Sequence, residues 1–318
     1  MFVAFLFLRQ RKCMMSIPAA FLGVIMIWST TPLAIKWSSH VGFLFSVSSR
    51  MLLGLLICSA LMMLKRLRLP LNRQAIHTYV IVGLSIFMAM TSTYWGAQFI
   101  SSGLISVLFG LSPIVVSILS AFLLHDHKIT LMQWIGMILG VIGLSIIFQH
   151  ELYASTEGLK GILAILVAVF SQALGSVLLK NSDAKISPLA MTTGGLGVMV
   201  ILYAILWIVT GQQVPDELPH YAWLSIVYLG IFGSVIGFMM YFYLLKHITP
   251  SKLALVTLIT PVSALILGQQ LNHEQITVSL WIGASVILLG LALFQWGNSI
   301  SKAVNATRLQ LLSCKVRS

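Results

Sequence analysis

Charge is what this sequence has least of. Only seven of its 318 residues are Asp or Glu, charged residues of both signs make up 8%, and 58% are hydrophobic, with a mean hydropathy of +0.99. A soluble domain carries roughly a quarter charged residues, so that class is excluded and a membrane protein is implied. The seven acids, Asp126, Glu151, Glu157, Asp183, Asp216, Glu217 and Glu274, all fall in breaks between apolar runs. Proton relay through an intramembrane carboxylate is therefore disfavoured. The eight histidines also sit in breaks or at run ends. No deep histidine is left to act as base for Ser85, Ser112, Ser145 or Ser285, the serines two residues after a glycine, which removes an intramembrane serine hydrolase. Paired intramembrane aspartates and an H-E-x-x-H segment are absent too, so neither aspartyl-protease nor zinc-protease chemistry has its parts, and no metal site is expected. There is no G-x-x-x-x-G-K-[ST] loop and no polar stretch long enough for a nucleotide-binding domain, which excludes ATP hydrolysis by this chain and leaves no cofactor to expect. Of the three cysteines, Cys13 and Cys314 lie in the tails and Cys58 inside an apolar run, so no disulfide is implied.

Apolar runs are what the sequence has instead. Ten occur, near residues 17–36, 43–64, 77–98, 103–124, 131–148, 159–180, 188–210, 222–245, 252–270 and 278–297. Each approaches the ~20 residues a helix needs to cross the hydrocarbon core. The expectation is an all-α polytopic membrane protein of ten spans. The net charge of +12 would suit a nucleic-acid partner if it gathered on one face, but it sorts by loop parity. With the N-terminus in the cytoplasm, sixteen of the nineteen Lys and Arg lie in inner segments, only Lys36 and Lys160 lie outside, and Arg50 is within a run. This is the positive-inside pattern of an inner-membrane protein with both tails, 1–16 and 298–318, in the cytoplasm. No nucleic-acid partner is expected. The opening "MFVAFLFLRQRKCMM" places its basic cluster after the apolar residues, the reverse of a signal peptide, and is too short to span; Met14 or Met15 is an alternative start.

The chain also repeats itself. "ITLMQWIGMILGVIGL" (129–144) and "ITVSLWIGASVILLGL" (276–291) agree at seven of sixteen positions with an offset of 147. "LFGLSPIVVSIL" around Pro113 answers "LVTLITPVSALI" around Pro261, and "WSTTPLAIK" in span 1 answers "QALGSVLLK" in span 6. Two five-helix halves result, over 17–148 and 159–297. Five is odd, so the second half enters from the opposite side and the repeats are inverted, a recurring device of secondary transporters that place substrate near the midplane between the halves.

With these segments and Arg50 in span 2, the chain resembles the drug/metabolite transporter superfamily in its ten-helix form with two EamA domains, over residues 16 to 297. The resemblance implies a carrier with a central cavity whose relatives move amino acids, drugs and other small metabolites, commonly outward. One departure is visible: the acidic residue usual before the Thr-Trp-Gly pattern is Glu274 in the second half, whereas the first half has His127.

Polar residues inside the spans supply candidates. Ser106, Gly110, Pro113, Ser117 and Ser120 share a face of span 4, and Thr257, Pro261, Ala264 and Gly268 a face of span 9. Close packing accounts for the small members. The prolines free backbone carbonyls at membrane depth, so Pro113 and Pro261, with Pro32 in span 1, are candidates for gating breaks. Candidate substrate-binding residues are Arg50, Trp28, Thr31, Tyr94, Gln172 and Tyr241. Gly136, Gly140, Gly143, Gly283 and Gly290 in spans 5 and 10, with Gly233 and Gly237 in span 8, suit helix packing, or else a homodimer surface. Arg50 lies eight residues past Gly42, roughly 12 Å deep at 1.5 Å per residue. It either pins helices by satisfying carbonyls near Pro32 or Pro113, or binds an anionic group of the substrate. The reading is a secondary transporter, not an enzyme, moving a small polar or amphipathic metabolite outward by alternating access. Uptake, or a structural or receptor-like membrane protein, are the alternatives.

Overall fold

The computed structural model describes residues 16–124, 130–154, 156–180, 186–248, 250–275 and 277–316. Its elements are helical throughout these residues. Span 1 is Ile17–Ser39, span 2 Phe43–Leu64, span 3 Arg73–Gly96, span 5 Leu131–Ala154, span 6 Thr156–Lys180, span 7 Pro188–Thr210, span 9 Pro250–Asn272 and span 10 Val278–Val316. Span 4 is two helices, Ser102–Phe109 and Ser112–Leu124, and span 8 is three pieces, His220–Tyr228, Leu229–Ile236 and Gly237–His247. Among the described residues nine spans are long and apolar enough to cross a membrane, and span 9 has the length, at 23 residues. The protein is an all-α polytopic membrane protein.

Helix starts follow capping chemistry. Ser16, Asn72, Ser101 and Ser187 each accept the backbone N–H three residues on, which relieves one of the donors a helix leaves unpaired at its first turn. Span 7 stops at Gly211, whose φ of +60° suits glycine and folds the last carbonyls onto its own N–H. The break in span 4 falls at Gly110–Leu111, directly before Pro113: proline there cannot donate to the Phe109 carbonyl, and the Gly110 N–H is shared among the Ser106, Val107 and Leu108 carbonyls. Pro261 lies inside an unbroken helix, as does Pro32. The C-terminal helix runs well past the expected membrane boundary, to Val316.

Packing displays the repeat. Span 1 packs on spans 8 and 9, and its counterpart span 6 packs on spans 3 and 4; span 3 packs on span 7, and span 8 on span 2. Spans 5 and 10 cross where glycines meet. A Cβ at Gly136 would lie 2.5 Å from the Gly290 carbonyl oxygen, and one at Gly143 would lie 2.6 Å from that of Gly283. Residue numbers rise along one helix as they fall along the other, so these corresponding helices are antiparallel, as inverted repeats require. Lipid gives helices no hydrophobic reason to associate, so close backbone approach is what holds such a crossing together. Side chains such as Leu52, Leu56, Ile138, Ile201 and Ile205 face outward instead, as a lipid-facing surface would have them.

Candidate functional site

Arg50 sits in the interior of the bundle, 4% exposed. Span 2 carries it toward spans 3 and 8. Its Nε donates to Ser234 Oγ at 3.1 Å, and its Nη1 makes a longer bond to the Tyr94 hydroxyl at 3.4 Å. A guanidinium has five N–H donors, so three have no hydrogen-bond partner among the described residues. The carbonyls near Pro32 and Pro113 do not receive them. No carboxylate neutralises the charge either: the ion pairs among the described residues are Lys36–Glu274 and Lys160–Glu157.

Span 8 is remodelled where it meets this arginine. Leu229–Ile236 is π-helical, closed by the Gly237 N–H reaching back five residues to the Phe232 carbonyl. Widened turns of this kind recur at functional sites because they displace a side chain from the regular helical track. Here the turn brings Ser234 to Arg50, and Gly233 leaves the guanidinium room, since a Cβ at 233 would stand 3.1 Å from Nη2. The sequence assigns Gly233 to packing and gives Ser234 no role. The signal is the run "GIFGSVIG", three glycines around a serine in a span otherwise rich in large side chains.

The other candidates divide. Tyr94 is fully buried and belongs to the Arg50 cluster. Trp28 and Tyr241 form a separate aromatic pair between spans 1 and 8, ring centroids 5.0 Å apart and tilted by 33°. Gly237 lies beside it, its Cβ position 3.5 Å from Trp28 Nε1. The Thr31 hydroxyl folds back onto its own helix, donating to the Ile27 carbonyl at 2.7 Å. Its neighbour Thr30 is the one that reaches across, 2.6 Å from the Tyr228 hydroxyl. Gln172 is half-buried on span 6, and no hydrogen bond links its side chain to the other candidates. Pro113 marks the break in span 4, and Pro261 packs 3.7 Å from the Cβ position of Gly110 just before that break, so the two proline segments meet at mid-span. Pro32 produces no break.

Sequence reasoning also missed a buried polar group on spans 3 and 7. The Tyr203 hydroxyl lies 3.1 Å from Thr91 Oγ1 and 3.4 Å from the Phe87 carbonyl, with the Phe87 ring 4.7 Å away. A groove of about 360 Å³ lies elsewhere, on the flank of spans 3 and 6, lined by Ser92, Trp95, Lys160, Leu163, Ala164 and Val167. Half-exposed Leu163 and Val167 place it on the outer face, and it shares no residue with the Arg50 cluster. The glycines weighed as a dimer surface, Gly136, Gly143, Gly283 and Gly290, are used inside the chain. Asp126, His127 and Asp183 lie outside the described residues.

Known proteins of the same build accompany this arrangement. A Bacillus subtilis (strain 168) protein named Uncharacterized transporter YoaV is 29% identical over 286 residues, covering 87% of this chain and 96% of its own. Protein PagO of Salmonella typhimurium is 29% identical over 256 residues, covering 78% of this chain and 83% of its own. The Escherichia coli (strain K12) protein named Uncharacterized inner membrane transporter YedA is 23% identical over 294 residues, with coverages of 89% and 92%. A solved crystal structure superposes with a TM-score of 0.60 at 19% identity, over 86% of this chain and 94% of that one, which speaks for the fold. A sequence model described as the EamA-like transporter family matches residues 15–149 and again 159–296. With most of its length matched in two copies, the chain belongs to the EamA-like transporter family, and it is a membrane transporter.

Proposed function

We propose that this transporter is a secondary carrier of the inner membrane that exports a small metabolite bearing an anionic group, and that Arg50 binds that group. The observation that carries the reading is the state of Arg50: buried, oriented by two neutral hydroxyls, unpaired with any carboxylate among the described residues, and left with three open donors. A central arginine costs about 2.5–3.5 kcal/mol on insertion scales. Two neutral hydrogen bonds do not use the forked geometry that distinguishes arginine, whereas a carboxylate or phosphate of a substrate does. Tyr94 and Ser234 then serve to hold the fork toward the substrate. The inner-membrane setting and cytoplasmic termini rest on the charge distribution of the loops, and the outward direction on the habit of the family.

The test begins with a comparison of metabolites inside and outside cells with and without the gene, which gives substrate and direction together. Purified protein in liposomes is then assayed for counterflow of the substrate found and of its neutral analogue. Arg50→Lys is expected to retain part of the affinity, and Arg50→Gln to fold normally yet lose the anionic substrate selectively. If both variants instead fail to accumulate or melt early in detergent, Arg50 is a helix pin and the binding role falls.

A further inference from the structure

Glu274 lies in the short break after span 9, yet its side chain is 5% exposed. The backbone directs it inward. Span 9 ends with His273 in the left-handed region, φ 50°, and the Glu274 N–H returns to the Gly268 carbonyl, six positions back, at 3.2 Å, which wraps the chain over the last turn of the helix. Turned back in this way, the carboxylate meets the first turn of span 4. It accepts from the Ser102 backbone N–H at 3.0 Å, from Ser102 Oγ at 2.9 Å and from Asn272 Nδ2 at 3.0 Å. A helix N-terminus favours an anion there, through both its unpaired donors and its dipole. Span 1 completes the cluster: Lys36 Nζ is 3.8 Å from Glu274 Oε1 and donates to the Ile100 carbonyl at 2.7 Å, while Trp37 Nε1 donates to Asn272 Oδ1 at 2.8 Å.

Spans 1, 4 and 9 are thus tied at one end of the bundle. Just inside the tie, spans 4 and 9 are in closest contact, where a Cβ on Gly103 would lie 2.5 Å from Leu265 Cδ2 and 2.9 Å from its Cα. Past the break at Gly110–Leu111, the second half of span 4 packs on span 6 instead. A seam therefore closes on the Glu274 side, and the hinge that would let it open lies directly beneath.

We propose that Lys36, Ser102 and Glu274 form a latch that holds the Glu274 end of the carrier closed, and that its release opens the seam between spans 4 and 9 to that compartment. The latch joins three helices by charge-assisted bonds and closes no site of its own, so its rupture shifts the population of the open state without removing a substrate contact. The inference rests on the carrier fold and not on the role of Arg50.

Ser106 lies between Gly103 and Gly110 on the same face of span 4 and is buried, so it reports on the seam. In the full chain with Cys13, Cys58 and Cys314 replaced by Ser, Ser106→Cys is treated with a membrane-impermeant maleimide in right-side-out and everted vesicles. Gln275→Cys in the same background identifies the Glu274 side. With the latch intact, Ser106→Cys should react slowly from that side. Glu274→Gln, and separately Lys36→Gln, should speed the reaction by about tenfold or more, the change given by about 1.4 kcal/mol. Gly268→Ala should do the same with every charge kept, since its methyl would collide with Glu274 Oε2 and stand 2.7 Å from Ser102 Oγ. Gly197→Ala, whose methyl meets nothing within 4 Å, should leave the rate unchanged, and the labelling is read without substrate, which separates this idea from the substrate reading. Unchanged rates in all three latch variants would overturn the proposal. So would failure of all three to accumulate, because the cluster would then be a folding element.

Discussion

Replacement of Gly143 by Ala tests the antiparallel crossing of the two repeats at one of its close glycine contacts. A methyl there would lie 2.6 Å from the Gly283 carbonyl oxygen, 2.8 Å from Ile287 Cγ1 and 2.9 Å from the Ile287 backbone nitrogen. Carbon atoms prefer 3.5–4.0 Å, so spans 5 and 10 must part by several tenths of an ångström, and two of the three obstacles are backbone that cannot rotate away. Overpacking of this kind costs about 1–3 kcal/mol. The helix-propensity gain of Ala offsets little of it, because a span in lipid keeps its backbone bonds regardless. Gly197→Ala is the control: nothing lies within 4 Å of a Cβ there, and such changes usually stay within about 0.5 kcal/mol. Thermal melting in detergent should place Gly143→Ala several degrees below the wild type and Gly197→Ala beside it. Gly283→Ala should behave like Gly143→Ala, and the double variant should lose less than the sum, since both methyls force apart the same two helices. Wild-type melting of Gly143→Ala, with the control also unmoved, would refute the crossing.

Three further expectations follow from the site and the loops. Arg68→Cys should resist an impermeant thiol reagent applied to intact cells while Asp216→Cys reacts; the reverse result would invert the topology. Pro113→Ala should change transport more than melting temperature and more than Pro261→Ala does, because only Pro113 adjoins a broken helix; wild-type rate and affinity in both would remove the gating role. Ser234→Ala should weaken the apparent affinity for an anionic substrate roughly tenfold or more, the usual worth of a hydrogen bond to a charged group, and Ser234→Thr should restore most of it; equal affinities for an anion and its neutral analogue in Ser234→Ala would leave Ser234 without an orienting role.

Spans and repeats were legible because they are written in long, redundant patterns. Twenty apolar residues leave few alternatives to a membrane helix, and the Trp-Ile-Gly motif after Thr130 and Thr277 identifies spans 5 and 10 as a pair before any packing is known. Arg50 was legible for the opposite reason, as a costly exception. Details of the site were less so. Depth and face single out Trp28, Thr31, Tyr94, Gln172 and Tyr241, but helical periodicity does not say whether a hydroxyl reaches across or folds back. Thr31 only folds back, whereas Thr30 both bonds its own helix and reaches Tyr228, a difference of one residue that is fixed by how span 1 rotates against span 8. The π-helical turn was hidden because it changes the period for only eight residues. Glu274 lies in a loop, as the sequence indicates, but a loop position says nothing about exposure: the left-handed His273 carries its carboxylate back into the bundle.

Two inverted repeats of identical sequence would make the two ends of a carrier equivalent, so any bias between its states must come from positions where the halves differ. Three such positions matter here. Arg50 has no arginine counterpart: the corresponding stretch of span 7, residues 194–197, reads Gly-Gly-Leu-Gly, and span 7 contains no basic residue. The proposed anion site is therefore single, which favours one orientation of a bound substrate rather than two. Trp28 answers Gln172, so an aromatic position in one half corresponds to an amide in the other. Glu274 answers His127, which has no carboxylate to offer a helix N-terminus or a lysine. The proposed latch can thus be built from these residues at one end alone, and the energies of the two closed states need not match. On the proposed reading, the unshared Arg50 and Glu274 are where a preference between the two closed states would originate, because the glycines and prolines that the halves share bear on both alike.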